Sequence, residues 1–213
     1  MINPNVMVFV IDDDESVRKS LKRLLDAAHY KAGVFKSASE FLSRSAYQGP
    51  SCVIVDVKMP GLNGIAFQEA LIENGRNEQL VFITAHGDIP MCAQAMKAGA
   101  IDFLPKPFKP GQLLESVERA LSRSAEERLR ATERNHARGL IERLTPREYE
   151  VMQLVATGML NKQVGGELGM AEKTVKTHRA HMMQKLGITS VAELMGVLQK
   201  AEATPPIRPG TKV

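Results

Sequence analysis

The chain has 213 residues, of which 44% are hydrophobic and 24% charged, and a formal net charge of +4 at pH 7. That is enough apolar material for one large domain or two small ones. No apolar run approaches bilayer length and the N-terminus lacks a leader pattern, which predicts a cytoplasmic protein with no membrane partner. Cys52 and Cys92 show no paired spacing and are expected to be reduced structural thiols.

Strand-like runs at residues 6–11, 31–35, 52–55, 80–83 and 101–104 alternate with helix-like stretches, giving five βα units. The runs are apolar on both faces, as a sheet covered by helices on two sides requires. Asp14 precedes Glu15-Ser16-Val17 and is predicted to cap the first helix, which carries Val17, Leu21, Leu24, Leu25 and Ala28 on one stripe. The fifth helix repeats that pattern with Leu113, Leu114, Val117, Ala120 and Leu121. Residues 1–121 therefore read as a doubly wound α/β domain with a five-stranded parallel sheet.

Residues 122–140 are rich in charges and helix formers and read as a helical linker that Gly139 interrupts. Heptads counted from Leu114 put Arg128 and Asn135 on the seam, so the coiled-coil pattern is weak. A second domain at residues 141–200 opens on Leu144-Thr145-Pro146-Arg147-Glu148, where Thr145, Pro146 and Glu148 form a capping box. Helices then end at Gly158 and Gly169, Asn161 is read as the cap of a short helix, and a longer helix spans Glu172–Leu186. The last helix, over residues 191–199, carries Leu194, Val197 and Leu198, and residues 201–213 read as a disordered tail. Four helices in about sixty residues, two of them joined by Gly169-Met170-Ala171, look like an all-α helix-turn-helix module.

Chemistry concentrates at the predicted strand ends. Asp12 and Asp13 follow the first strand, Asp56 ends the third, and Thr84 and Lys106 stand at the ends of the fourth and fifth. One such aspartate alone is more often a turn residue or a helix cap. Together, in an open parallel sheet, they line the crevice at the C-terminal strand ends, where carboxylates can meet and hold a hard cation. Mg²⁺ fits this set, with Asp13 and Asp56 as direct ligands and Asp12 acting through water. A phosphoryl group on Asp56 would meet Mg²⁺, the Lys106 ammonium and the Thr84 hydroxyl, which provides the positioning and charge neutralisation that phosphoryl transfer needs.

The motifs Ile11-Asp12-Asp13-Asp14, Val55-Asp56-Val57-Lys58-Met59-Pro60-Gly61, Thr84-Ala85-His86-Gly87-Asp88 and Phe103-Leu104-Pro105-Lys106-Pro107-Phe108 resemble the receiver domain of two-component response regulators. The resemblance covers residues 5–121 and implies a strand order of 2-1-3-4-5. It also implies that Asp56 takes a phosphoryl group from the phosphohistidine of a sensor histidine kinase and that the Lys58 carbonyl is a further metal ligand. Thr84 and Phe103 match the switch positions, with Phe103 in place of a frequent tyrosine. His86 and Asp88 are expected to shape the loop into the helix that starts at Ile89-Pro90.

The second domain carries a different chemistry. Within Glu172–Leu186, Lys173, Lys176, Arg179 and Lys185 face one acid, Glu172. On a helical wheel centred on Val175, the residues Arg179, Met182 and Leu186 lie within about 40°, and Lys173, Thr177, Ala180 and Gln184 fall opposite, with Lys176 and His181 on the flanks. A basic helix face is usually only a solvated face, so charge alone decides little. The motifs Leu144 to Glu148, Gly158-Met159-Leu160-Asn161-Lys162, Thr174-Val175-Lys176-Thr177-His178 and Lys185-Leu186-Gly187 decide more, because they resemble the four-helix DNA-binding domain of the LuxR/FixJ/NarL class. Carried over by position, Lys176, Thr177 and Ala180 would face base edges with His181 beside them, and Lys162, Lys173 and Thr174 would hold phosphates. Ala171 stands where a serine N-cap is frequent, so the recognition helix is expected to begin without a side-chain cap.

Together the two halves resemble a FixJ/NarL-type response regulator. That implies a sensor kinase, promoter DNA and RNA polymerase as partners, and a homodimer formed on phosphorylation through the fourth helix, fifth strand and fifth helix. A haloacid-dehalogenase-like phosphatase would want an aspartate two residues after Asp56, where Lys58 stands. A constitutive DNA binder with a vestigial receiver would not need the complete site.

Overall fold

In the computed structural model, residues 6–85 and 89–202 are described. They form two compact units divided between Arg128 and Leu129. His86, Asp88 and residues 203–213, and with them the loop-shaping role and most of the expected tail, lie outside the described residues.

The first unit alternates β1 (Met7–Ile11), α1 (Glu15–Ala27), β2 (Ala32–Phe35), α2 (Ala38–Leu42), β3 (Ser51–Asp56), α3 (Gly64–Glu73), β4 (Gln79–Thr84), α4 (Ile89–Lys97), β5 (Asp102–Pro105) and α5 (Pro110–Glu142). All five strands pair in parallel in the order β2-β1-β3-β4-β5. Every residue of β3 and β4 is buried, which explains why these strands read as continuous apolar runs. Side-chain alternation divides the core into two layers. Phe9, Val53, Val55, Phe67 and Phe82 pack on one face of the sheet, and Val8, Val10, Ile54, Val81, Leu113 and Val117 on the other. Each such large side chain withdrawn from water contributes about 1.5–3 kcal/mol.

Caps and one glycine set the loops at the C-terminal strand ends. Asp14 accepts a bond from the Ser16 N–H at 2.7 Å and starts α1, as its sequence position predicts. Asn63 caps α3 by accepting from the Ala66 N–H at 2.9 Å. Gly64 follows because α3 begins against the end of β3, where an added Cβ would lie 2.7 Å from the Asp56 carbonyl oxygen. A larger residue there would push the loop carrying Lys58 away from Asp56.

The stretch at residues 122–140 is helical, as expected, and is divided between the two units. Its first part belongs to the first unit: Ser124 is buried and its hydroxyl accepts from the Ser51 N–H at 3.0 Å, Gln79 donates to Glu127 at 2.7 Å, and Arg128 donates to the Gln48 carbonyl. The remainder belongs to the second unit, where Ala137 is buried, Leu140 and Ile141 pack on the core, and Arg138 donates to the Ala201 carbonyl at 3.0 Å. The helix also runs through Gly139 without a break. A glycine lowers helicity by about 1 kcal/mol relative to alanine, and the packing on either side of Gly139 outweighs that.

In the second unit α6 (Pro146–Ala156), α7 (Asn161–Leu168), α8 (Glu172–Leu186) and α9 (Val191–Lys200) enclose Val151, Met152, Val155, Val164, Val175, Met182, Leu186, Leu194 and Leu198. The expected capping box is formed: the Thr145 hydroxyl accepts from the Glu148 N–H at 3.3 Å, and Glu148 accepts from the Thr145 N–H at 2.8 Å. Asn161 is not the cap of α7. It is the first helical residue, Leu160 takes the extended cap conformation, and Gln163 reaches back to accept from the Leu160 N–H at 2.8 Å. Gly165 has a packing role that helix propensity hides, because an added Cβ would meet the Met170 carbonyl oxygen at 2.6 Å. Its own carbonyl accepts from the Met170 N–H at 2.9 Å, closing the turn from α7 toward α8.

Candidate phosphoryl-acceptor site and nucleic-acid interface

The parallel register brings the predicted chemistry to one edge of the sheet. Ile11 pairs with Val55, Asp56 with Ile83, and Thr84 with Pro105, so the residues that end β1, β3, β4 and β5 are neighbours. Asp12, Asp56 and Thr84 are buried there. Lys106 is drawn in by its backbone, whose N–H donates to the Thr84 carbonyl at 2.7 Å. Its ammonium donates to Asp12 Oδ2 at 2.9 Å and lies 3.4 Å from Asp56 Oδ1.

Asp56 Oδ1 is buried and has no hydrogen-bond partner of good geometry among the described residues, and the Lys106 ammonium attracts it from 3.4 Å. Burial raises the Asp56 carboxyl above the usual carboxylate range; the Lys106 charge opposes that rise, and the neighbouring Asp12 adds to it. Burial by itself would lower Lys106, but its bond to Asp12 and the charges of Asp12 and Asp56 more than offset that and raise it. The pair is a carboxyl with a buried, unfilled acceptor oxygen beside a fixed cation.

The expected three-carboxylate cluster does not form in full. Asp13 is exposed, and no three acidic, histidine or cysteine side chains converge as a cation site among the described residues. Like charges repel unless a cation stands between them, and here Lys106 neutralises Asp12 and Asp56. The all-oxygen donor set of Asp12, Asp13 and Asp56, with Asp56 Oδ1 free of hydrogen bonds among the described residues, nevertheless suits Mg²⁺, which accepts few carboxylates and keeps waters. Lys58 is exposed in the loop after β3. Phe103 is half-buried opposite Phe82 on β4, with ring centroids 6.0 Å apart.

One residue of this edge has no precedent in the sequence reading. Arg18 of α1 donates from Nη1 to the Asp12 carbonyl at 2.6 Å and to the Asp13 carbonyl at 2.9 Å. Helical side chains lean toward the N-terminus, so an arginine soon after a helix start is the signal that could have indicated it.

In the second unit the recognition helix is divided as its wheel predicts. Val175, Met182 and Leu186 are buried, whereas Lys173, Thr174, Lys176, Thr177, Ala180 and His181 of α8 and Lys162 of α7 are exposed. The Thr177 hydroxyl donates to the Lys173 carbonyl at 3.2 Å, leaving its lone pairs outward. Arg179 is half-buried; it donates to Asn161 Oδ1 at 2.9 Å and joins α8 to α7. Ala171 takes the cap position of α8 with no side-chain bond, as expected.

A receiver-type α/β unit followed by a helix-turn-helix unit defines the class, and comparison with known proteins gives the same result. A family profile described as response regulator receiver domain matches residues 8–118, and one described as bacterial regulatory proteins, luxR family, matches residues 142–198. The chain belongs to the FixJ/LuxR-type response regulators: it is a DNA-binding transcriptional regulator of two-component systems and not an enzyme.

Nodulation protein W of Bradyrhizobium diazoefficiens is 44% identical over 189 residues, covering 89% of this chain and 83% of that protein. Transcriptional regulatory protein FixJ of Azorhizobium caulinodans is 35% identical over 204 residues, covering 93% and 97%. The solved structure of response regulator StyR is 46% identical with a TM-score of 0.82, covering 92% of this chain and 98% of that one. No helix among the described residues is long and apolar enough to cross a membrane.

Proposed function

We propose that Asp56 is the phosphoryl acceptor and that its modification controls promoter binding. The buried Asp56 Oδ1, without a hydrogen bond and 3.4 Å from the Lys106 ammonium, is the observation that carries this reading. That oxygen attacks the phosphorus of a kinase phosphohistidine, a P–O bond forms, and the P–N bond breaks. Lys106 neutralises charge on the incoming phosphoryl oxygens, and Thr84 offers them a hydroxyl donor. Asp12, Asp13, Asp56 and the Lys58 carbonyl would hold Mg²⁺, which when bound supplies further charge neutralisation. Thr84 and Phe103 form the switch that responds.

Phosphorylation then favours a state that dimerises through α4, β5 and α5, and the paired second units bind two half-sites of a promoter in the cytoplasm and engage RNA polymerase. The exposed Ile89 and Met96 of α4 support an association surface there. Coupling of this kind requires only that the phosphorylated state differ in stability between the two arrangements. Lys176, Thr177, Ala180 and His181 would face bases, and Lys162, Lys173 and Thr174 phosphates.

Incubation with a small acyl phosphate and Mg²⁺ tests the first step. The wild type gains about 80 Da, the mass of one phosphoryl group, and D56N or chelation of the metal abolishes the gain. Uptake by D56N equal to wild type overturns the assignment. For the second step, K173A is expected to weaken DNA binding across sequences and to lower the salt slope by about one.

A further inference from the structure

Asp13 presents a problem for a cation site, because its side chain is exposed. Its backbone, however, is held at both ends. The Asp12 carbonyl belongs to the peptide group before the Asp13 Cα and the Asp13 carbonyl to the one after it, and a single Arg18 nitrogen bonds both, at 2.6 and 2.9 Å. The second peptide is gripped a further time, since its N–H, that of Asp14, donates to Asp12 Oδ1 at 2.9 Å. The Asp12 N–H in turn donates to the Phe35 carbonyl at 3.3 Å. Fixing the peptide planes on either side of a residue fixes its φ and ψ, and with them the direction of its Cα–Cβ bond.

Arg18 has no competing task as a helix cap. The cap of α1 is Asp14, which accepts from both the Ser16 N–H and the Ser16 hydroxyl at 2.7 Å. Charge-assisted bonds to two carbonyls are stronger and more directional than neutral ones, so an arginine suits this clamp.

We infer that Arg18 is a positioning residue for the cation site: by clamping the two peptides that flank Asp13 it presets the direction in which the Asp13 carboxylate meets Mg²⁺. The inference rests on the reading of Asp12, Asp13 and Asp56 as Mg²⁺ ligands. It makes a prediction whose sign separates it from electrostatics. Removing a positive charge beside a cation site strengthens cation binding by Coulomb's law, whereas removing a clamp weakens it.

The test is calorimetric titration of the full chain with Mg²⁺ alone, for wild type, R18A, R18K, K19A and D13N, with helix content checked by circular dichroism. R18A is expected to bind Mg²⁺ about tenfold more weakly, the order seen when groups that orient metal ligands are lost. R18K keeps the charge but loses the reach of the guanidinium, so it falls between R18A and wild type. K19A removes the same charge from the same helix, where Lys19 pairs with exposed Glu15 at 2.7 Å, and leaves the affinity equal or slightly higher. R18A binding as tightly as wild type or tighter, or R18A and K19A shifting alike, overturns the clamp while the Mg²⁺ site stands. A wild type that binds no Mg²⁺, or a D13N that binds like wild type, overturns the site and the clamp together. If R18A fails to fold, R18K decides: a loss of about threefold supports the clamp and no loss overturns it.

Discussion

Asp56 with Lys106 in the first unit and Glu148 with Lys185 in the second are both acid–lysine pairs in which the carboxylate is buried. Glu148 is held by two donors on one oxygen: its Oε2 accepts from the Lys185 ammonium at 2.6 Å and from the Thr145 N–H at 2.8 Å. Burial pushes its carboxyl up, but those bonds outweigh it and bring the value down to about 2. In the Asp56 pair the ammonium is turned to Asp12, Asp56 Oδ1 has no hydrogen bond, and burial wins, so the carboxyl is raised. A carboxylate oxygen held by two donors fastens a helix start to a neighbouring helix. One left open beside a cation is ready for a new bond.

The largest test of this contrast is all-or-none. D56N should lose phosphoryl uptake entirely, and E148A, in the other unit, should retain it, both read by intact mass. Next in size is stability. E148A removes a buried acceptor from the Thr145 N–H and the Lys185 ammonium and is expected to cost about 1–3 kcal/mol, read as faster hydrogen exchange in α6 and α8 of the full chain. D56N should leave exchange in the first unit equal or slower, since it removes a buried charge with an open valence.

Acid separates the pairs by sign. Glu148 is lowered from 4.5 to about 2, so its contribution is present above pH 4.5 and is lost as pH falls toward about 2. Asp56 is raised, so its charged form is the costly one and acid relieves that cost as pH falls through the raised value. Exchange in α6 should therefore accelerate over that window in wild type and much less in E148Q. The smallest effect supplies what α8 lacks: A171S adds a side-chain cap and should slow exchange in the first turn of α8 by up to about 1 kcal/mol.

Local signals were legible in proportion to how local their physics is. The Asp14 cap, the Thr145 to Glu148 capping box and the apolar runs of β1, β3 and β4, buried on both faces, depend on residues a few positions apart, and all three formed as read. Asn161 did not follow the simple cap rule because its side chain is engaged by Arg179, eighteen positions away and on another helix. Gly139 failed as a helix breaker because Ala137, Leu140 and Ile141 beside it are packed in the second unit. The partner of Glu148, Lys185, is 37 positions distant, and no spacing rule announces it.

By itself the sequence determined which elements form, where apolar faces lie, and that Asp12, Asp13, Asp56, Thr84 and Lys106 stand at successive strand ends, because periodicity, capping and strand-end chemistry are carried by neighbouring residues. Only the tertiary structure decided which of those charges meet. It turned Lys106 to Asp12, left Asp56 Oδ1 open, put Asp13 at the surface under an Arg18 clamp, and brought Lys185 and the Thr145 N–H to one oxygen of Glu148. Burial and distance set the strength of each of these interactions, and neither is defined until the chain has packed.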